Sequence, residues 1–227
     1  MQVGDTGRDI QSVLLTTDVT PEVVNEAIMR GCNLILSHHP LLFHGLKQVC
    51  GQTPQACVVE QAIKHDIAIY SAHTNLDSVV GGINTRLAER LGIRDYRLLT
   101  ESGLGAIGSL PEPVNYLDFI EQIRTTLDCS YVRYTRPAKE SIRTVAVCGG
   151  SGAEFIDTAI EQGADVYLTA DCKYHEFQDA DQRIGLIDID HWYSERHARE
   201  IFRDLIEPLG VKCIISEMDR TPIQIKN

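Results

Sequence analysis

The sequence predicts an α/β fold made of two related lobes, with mostly parallel sheets flanked by helices. Three observations lead to this expectation. Short apolar, β-branched segments alternate with segments that carry helix-capping signals, which is typical of βαβ units. The alternation is interrupted once in the middle of the chain and then resumes. The resumed part is similar to the first part, which indicates an internal repeat.

The first part contains three predicted strands, at 12–18, 33–39 and 67–73. The segment 20–31 has the pattern of a helix, because Thr20 can cap it, Pro21 suits its first turn and Gly31 can end it. Further helices are predicted at 54–66 and 83–93.

The later part of the chain continues differently before the βα pattern returns. Short strands are predicted at 96–100, 105–110 and 130–135, around a helix at 114–127. The βα pattern then gives strands at 143–150, 164–171, 183–190 and 211–216, with helices at 152–163 and from about Trp192. We therefore predict a first lobe over 1–95, a central segment over 96–140 and a second lobe over 141–227.

The internal repeat is the most informative feature of the sequence. Residues 12–39 align without a gap on residues 144–171, and 67–77 align on 185–195. The second alignment places His73 on His191 and a carboxylate on a carboxylate four residues later. Any two βαβ units share some similarity, which is the alternative interpretation. The coincidence of histidine and carboxylate favours a true repeat.

Composition limits the classes of function. The chain has 227 residues, of which 43% are hydrophobic, enough for one large or two small domains. No apolar run approaches the roughly 18 residues that cross a bilayer, and the N-terminus lacks a signal pattern, so a cytoplasmic protein without membrane association is expected. A net charge of -11 argues against nucleic-acid binding. Seven cysteines without a C-x-x-C motif favour buried thiols over a disulfide framework.

Two adjacent histidines, His38 and His39, end the second predicted strand. Parallel sheets place ligand sites at the carboxyl ends of their strands. Neighbouring side chains on an extended strand point to opposite sides, which suits two metal ions or a chain that turns at once. Pro40 favours an extended backbone at His39. The alternative is that both rings are ordinary hydrogen-bonded residues at the end of a buried strand.

Two further pairs combine histidine with a carboxylate. His73 and Asp77 follow the third strand, and His191 and Glu195 open a helix with the spacing i, i+4, which places both side chains on one face. Imidazole and carboxylate together suit zinc, manganese, iron, cobalt or nickel. Each pair alone is more typical of a solvated surface. Three such elements at three strand ends of one sheet predict a metal site.

Other polar groups allow weaker predictions. Asp171, Lys173 and His175 follow another predicted strand, either as surface residues or as groups that support metal ligands or face a substrate. The glycine-rich segment 149–154 is more typical of a tight turn than of a phosphate-binding loop. His44 is expected to take no part in a metal site.

Four segments resemble the signature segments of a known family: "DVTPEVVNEAIMRGCNLILSHHPLLF", "AHTNLD", "GADVYLTAD" and "DHWYSE". The chain is similar to the NIF-three-like family, whose members are often named GTP cyclohydrolase 1 type 2 homologues. The resemblance covers nearly the whole chain. Two positions depart from the family pattern, because Asp190 and Ala170 stand where glycine is usual.

The resemblance implies two related α/β lobes, a dinuclear divalent-metal centre between them and a toroidal homohexamer. It places the metal ligands on five residues, with Glu195 as the bridging carboxylate: His38, His39, Asp77, His191 and Glu195. One interpretation is a metal-dependent hydrolase for a nucleotide-like small molecule, with His73 and His175 as candidates for proton transfer. The other is a non-catalytic metal-binding scaffold that binds a partner.

Overall fold

The computed structural model describes residues 1–226 as an alternation of strands and helices. The strands are β1 Ser12–Thr16, β2 Leu34–Ser37, β3 Ala68–Ser71, β4 Arg94–Leu98, β5 Ala106–Asn115, β6 Arg133–Tyr134, β7 Ser141–Ser151, β8 Val166–Ala170, β9 Gly185–Asp188 and β10 Lys212–Ile215. The helices are α1 Pro21–Arg30, α2 Pro54–Lys64, α3 Thr74–Asp77, α4 Ile83–Arg90, α5 Tyr116–Thr126, α6 Ile156–Glu161, α7 Tyr174–Ala180, α8 His191–Glu195 and α9 Ala198–Ile206. Across these described residues, no helix has the length and apolar character needed to cross a membrane.

The chain forms two compact units. The first contains Met1–Leu76 and Ala198–Arg220, and the second contains Asp77–His197 with residues 221–226. This division differs from the boundaries predicted at residues 95 and 140. The difference arises because the end of the chain returns to the first unit, where β10 pairs with β1, and because β4 pairs with β5 in the second unit.

The first unit is a parallel sheet in the order β10-β1-β2-β3, with helices packed against it. The capping predictions for α1 are confirmed: Thr20 Oγ1 accepts from the Val23 amide at 3.3 Å, and Gly31 ends the helix at φ 66°. Val23 and Val24 of α1 and Val58 of α2 bury their side chains in the core of this unit. The sheet therefore has the covered, apolar strands expected of a parallel sheet.

The second unit is a six-stranded mixed sheet in the order β4-β5-β7-β8-β9-β6. Its parallel part is β7-β8-β9, while β4, β5 and β6 pair antiparallel. One apolar core contains Phe119 and Leu168, and another contains Tyr167 and Leu186, so successive residues of β8 serve different cores. The predicted α/β class with flanking helices is confirmed.

The strand registers confirm the first part of the repeat and correct the second. Val13 pairs with Leu34, and their aligned counterparts Val145 and Val166 pair in the same way. Leu34 then pairs with Ala68, whereas Val166 pairs with Gly185, one residue before the position aligned on Ala68. In strand register His73 therefore corresponds to Asp190 and not to His191. The alignment was wrong by one residue because the two third strands enter their sheets one residue apart.

A buried carboxylate holds the returning segment in the first unit. Glu26 of α1 is 2% exposed and accepts from Ser216 Oγ at 2.6 Å and from the amides of Glu217 and Met218 at 3.1 and 3.2 Å. Arg30 pairs with it at 2.9 Å. Burial alone raises the pKa of Glu26, but these hydrogen bonds and the Arg30 charge outweigh burial and lower the pKa overall.

We predict that Glu26→Gln destabilises the protein by about 1–3 kcal/mol at neutral pH, because the amide replaces an acceptor that serves several donors. Since the folded-state pKa is lowered, the stabilisation by Glu26 is present above the unfolded pKa of about 4.3 and is lost as the pH falls through the folded value. Thermal unfolding at pH 7 and in acid measures this difference. Glu60→Gln, which removes an i,i+4 pair with Lys64, is the control with an effect of about 0.5 kcal/mol or less. An equal effect of Glu26→Gln at both pH values would contradict the prediction.

Candidate metal centre

His38 and His39 lie where the chain leaves β2. Their amides continue the pairing with the first strand, donating to the carbonyls of Thr16 and Thr17 at 3.2 and 2.9 Å. Ser37 Oγ donates to the His39 carbonyl at 2.8 Å, which is consistent with a turn directly after the strand. The two rings consequently lie together, with centroids 4.9 Å apart, instead of on opposite sides of the sheet.

Each of these rings is held through its Nδ1 atom. His38 is fully buried, and its Nδ1 lies 3.0 Å from the Ala72 carbonyl oxygen. His39 is 9% exposed, and its Nδ1 lies 2.9 Å from Asp18 Oδ1. Because a carbonyl oxygen only accepts, Nδ1 of His38 carries the proton, and the lone pair of the neutral ring is on Nε2. Such an arrangement is typical of histidines that ligate metals.

His73 completes a histidine cluster in the first unit. Its ring centroid lies 5.3 Å from that of His38 and 5.6 Å from that of His39. One nitrogen from each of the three rings can be chosen so that all lie within 4.8 Å of one another. Three imidazoles at this separation suit a borderline cation such as zinc.

In the second unit, His191 and Glu195 lie on one face of α8, as the i, i+4 spacing predicts. His191 Nε2 lies 2.9 Å from Glu195 Oε2, and its Nδ1 lies 2.7 Å from Asp171 Oδ2. Ser151 donates its hydroxyl to Asp171. Burial alone raises the pKa of Asp171, but the hydrogen bonds from Ser151 and His191 lower it overall, so the group stays a carboxylate. Asp171 thus orients the His191 ring.

Two glycines of β7 allow the close approach of α8. The Gly150 amide donates to Ser194 Oγ at 2.8 Å, and Gly149 donates to Asn84 Oδ1 at 2.8 Å. Gly150 has φ 67°, and a Cβ atom there would collide with Oε1 of Glu195. The glycine-rich segment was predicted as a tight turn, but β7 extends through Ser151. Its glycines instead give the space that the Glu195 carboxylate occupies.

Besides burial, the negative charges of Asp77 and Glu195 both raise the pKa of the Cys148 thiol. Burial raises the pKa of Cys148 to about 12, and the two carboxylates add to this increase. The backbone carbonyl of Asp77 accepts from Asn84 Nδ2 at 2.9 Å. Both predicted carboxylate ligands therefore lie near the same buried thiol of the second unit, and that thiol is protonated at neutral pH.

Asp190 adopts the backbone conformation for which glycine is usual. Its φ and ψ are 69° and 142°, a region that costs a non-glycine residue about 1–3 kcal/mol. The side chain partly offsets this cost, because Oδ1 accepts from the Trp192 amide at 3.0 Å and Oδ2 accepts from the Tyr131 hydroxyl at 3.2 Å. Ala170, the other departure from the family pattern, is a fully buried residue of β8.

The remaining predicted residues lie on helix α7 and in the loop after β2. His175 is exposed on α7, with Nδ1 3.3 Å from Gln178 Oε1 of the same helix. Lys173 precedes α7 and donates its amide to Glu176 at 2.5 Å. His44 is exposed in the loop after β2. The roles of His175 and Lys173 stay predictions.

Two residues of this arrangement, Asp18 and Gly150, were not predicted from the sequence as parts of a site. Asp18 ends the "TTD" segment after β1, at the same sheet edge as His39, so its position at a strand end was an available signal. Gly150 had no comparable signal, because its need for a small side chain depends on how α8 packs on β7.

Comparison with known proteins agrees with the motifs. The model of the Duf34/NIF3 family (NGG1p interacting factor 3) matches residues 1–222. The chain belongs to this family. The resemblance to this family that the sequence motifs indicated is therefore confirmed.

Several relatives of this NIF3 protein carry the name GTP cyclohydrolase 1 type 2 homolog. The Clostridium perfringens relative is 37% identical over 86% of this chain and 77% of its own length. The Nostoc relative is 39% identical over 89% of this chain and 80% of its own. A hypothetical protein of Staphylococcus aureus has a similar structure, with a TM-score of 0.91 and 28% identity over 99% and 90% of the two chains. A Bacillus cereus protein related to NIF3 has a TM-score of 0.91 at 24% identity over 99% and 92%, which shows the fold alone.

We predict that Gly150→Ala weakens metal binding and lowers the melting temperature more than Gly163→Ala does. Both glycines have positive φ, so both substitutions cost about 1–2 kcal/mol of backbone strain. Only at Gly150 does the added methyl group meet Glu195, whereas nothing lies within 4 Å at Gly163. Thermal unfolding and metal content measure the two effects. Equal losses in both variants would show that Glu195 is not displaced.

Asp171→Asn is expected to lower the affinity for a divalent metal about 10- to 100-fold, because the amide no longer stabilises the His191 orientation with a negative charge. Asparagine tolerates the positive φ of 57° at this position, so the fold should be retained. Competition with a chelating indicator measures the affinity. Asp179→Asn, at another exposed acid of the second unit, is the control. If Asp171→Asn binds the metal with the affinity of the parent protein, Asp171 does not contribute to metal binding.

Proposed function

We propose that the chain binds two divalent metal ions and acts as a metal-dependent hydrolase on a nucleotide-like substrate. The observation that supports this most is the way in which three predicted ligands are held. His38, His39 and His191 each have Nδ1 against a carbonyl or carboxylate oxygen. His191, whose side chain is 34% exposed, would not need such support as an ordinary surface residue, whereas metal-ligating histidines almost always have it.

The proposed ligands are the five residues that the sequence resemblance indicated: His38, His39, Asp77, His191 and Glu195. The donor set of imidazole nitrogens and carboxylate oxygens fits zinc, manganese, iron, cobalt or nickel. Glu195 would be the ligand shared between the ions, as the family resemblance implies. Bound divalent ions would supply Lewis acidity toward a carbon or phosphorus centre.

The protein's own groups would control protons and orientation around this site. Asp18 and Asp171 stabilise a proton at Nδ1 of His39 and His191, which favours Nε2 as the metal-binding nitrogen of each ring. His73 is half-buried beside His38 and His39, so one of its imidazole nitrogens is a candidate to accept a proton during hydrolysis. His175 is the second candidate and is exposed on α7.

The substrate class rests on the names of the relatives. GTP cyclohydrolase 1 type 2 homolog is a name given to those proteins, and from it we propose a purine nucleotide as substrate. The homohexameric ring that the resemblance implies is also proposed for this chain. Its mass in solution, measured by light scattering, tests the hexamer independently of catalysis.

A non-catalytic metal-binding scaffold is the second candidate function. The family description refers to NGG1p interacting factor 3, which names an interaction and not a reaction. In this case the same ligands would stabilise a surface that a partner protein recognises. Metal would then be required for assembly or for partner binding, with no turnover.

The test combines metal content with turnover. Protein supplied with manganese, zinc or iron is expected to retain about two ions per chain, as two-metal sites do. His38→Ala and Glu195→Ala are expected to lose one or both ions, because each removes a ligand. Loaded protein is then offered GTP and simple phosphoesters, with His191→Ala as the background control.

The outcomes separate the two candidates. Turnover above the His191→Ala background supports the hydrolase. Metal binding without turnover for any metal and substrate supports the scaffold. Full metal content in both His38→Ala and Glu195→Ala would contradict the proposed ligand set.

A further inference from the structure

We propose that Phe43 forms one wall of a binding site for a planar, purine-sized aromatic ring beside the histidine cluster of the first unit. The inference deepens the proposed function and rests on it, since this ring would belong to the substrate. It assigns ring recognition to the loop between β2 and α2, in the part that follows the proposed ligands His38 and His39.

Phe43 is an exposed aromatic residue that contacts the cluster. The residue is 63% exposed, and its ring lies edge-to-face with His73 at a centroid distance of 5.7 Å and an interplanar angle of 85°. This contact fixes one direction of the phenyl ring. The large exposed fraction means that much of the remaining ring surface faces solvent, where a second planar ring can stack.

The cleft beside Phe43 has a suitable size for a small molecule. Its volume is about 500 Å³, within the usual range of about 300–1,000 Å³ for ligand sites. Leu41 is buried, and Leu42 and Leu46 pack against the core of the first unit, so the core holds these three apolar side chains of the cleft in place. The lining residues are Leu41, Leu42, Phe43, His44, Gly45, Leu46 and Gln55.

The polar groups of this cleft indicate the kind of ring. Gln55 offers an amide donor and an amide acceptor, and His44 offers ring nitrogens, which match the alternating donors and acceptors on the edge of a purine. The lining contains neither lysine nor arginine, the residues that bind phosphate most often. The cleft therefore fits the ring of a nucleotide and not its phosphates.

Calorimetric titration of the full chain with guanosine tests the site, with and without added metal. Because a base stacks on the face of an aromatic side chain and the alanine variant loses this contact, Phe43→Ala is expected to raise the Kd for guanosine by about five-fold to a hundred-fold. Phe43→Trp keeps a stacking face and should retain binding. Tyr134→Ala is the matched control, because Tyr134 is 51% exposed and lies edge-to-face with Tyr116 at 6.2 Å.

Two results would overturn this inference: no measurable guanosine binding by the parent protein, or equal Kd values for the parent and Phe43→Ala. If the solution mass of Phe43→Ala changes while its Kd does not, Phe43 belongs to an interface between copies. Metal content measured on the same samples separates this inference from the proposed function. Phe43→Ala with full metal and weakened guanosine binding supports both, whereas a parent that binds guanosine but holds no metal contradicts only the metal-dependent hydrolase.

Discussion

Parallel strand pairing is the constraint on which the candidate site depends. In a parallel sheet the carboxyl ends of neighbouring strands lie at one edge, so residues far apart in sequence become neighbours there. In the first unit this pairing brings Asp18, His38 and His39 together with His73. In the second unit β8 pairs with β9, and the residues Asp171 and His191, which follow these two strands, contact each other. The candidate metal site follows from this pairing, because His38, His39 and His191 each have an oxygen from an adjacent strand end against their Nδ1 atoms.

Local sequence signals predicted the parts of the fold that local physics controls. The helix α1 has a cap, a proline and a terminal glycine, and it forms where these signals indicate. The contact between His191 and Glu195 in α8 was likewise predictable, because the i, i+4 spacing in a helix alone brings the two side chains together. The motifs that identified the NIF3 family contain all five proposed ligands.

The features of the fold and the site that could not be predicted from the sequence depend on long-range packing. The pairing of β10 with β1 depends on residues separated by most of the chain, so no local pattern predicted that the C-terminal segment joins the first unit. The third strands of the two repeats differ by one residue in register, which a sequence alignment without coordinates cannot detect. The closeness of Gly150 to Glu195 is of the same kind, since it depends on the packing of α8 on β7.

The discontinuity of the first unit has a consequence for biosynthesis. Chains are made from the N-terminus at about 5–20 residues per second, and domains tend to fold as they emerge. The strands β1, β2 and β3 leave the ribosome early, but β10 and the donors of Ser216, Glu217 and Met218 leave it much later. Until then the nascent chain has an incomplete sheet with one open edge at β1, and Glu26 lacks these three donors. The second unit has all its strands by Asp188, so its sheet can be complete before that of the unit that begins the chain.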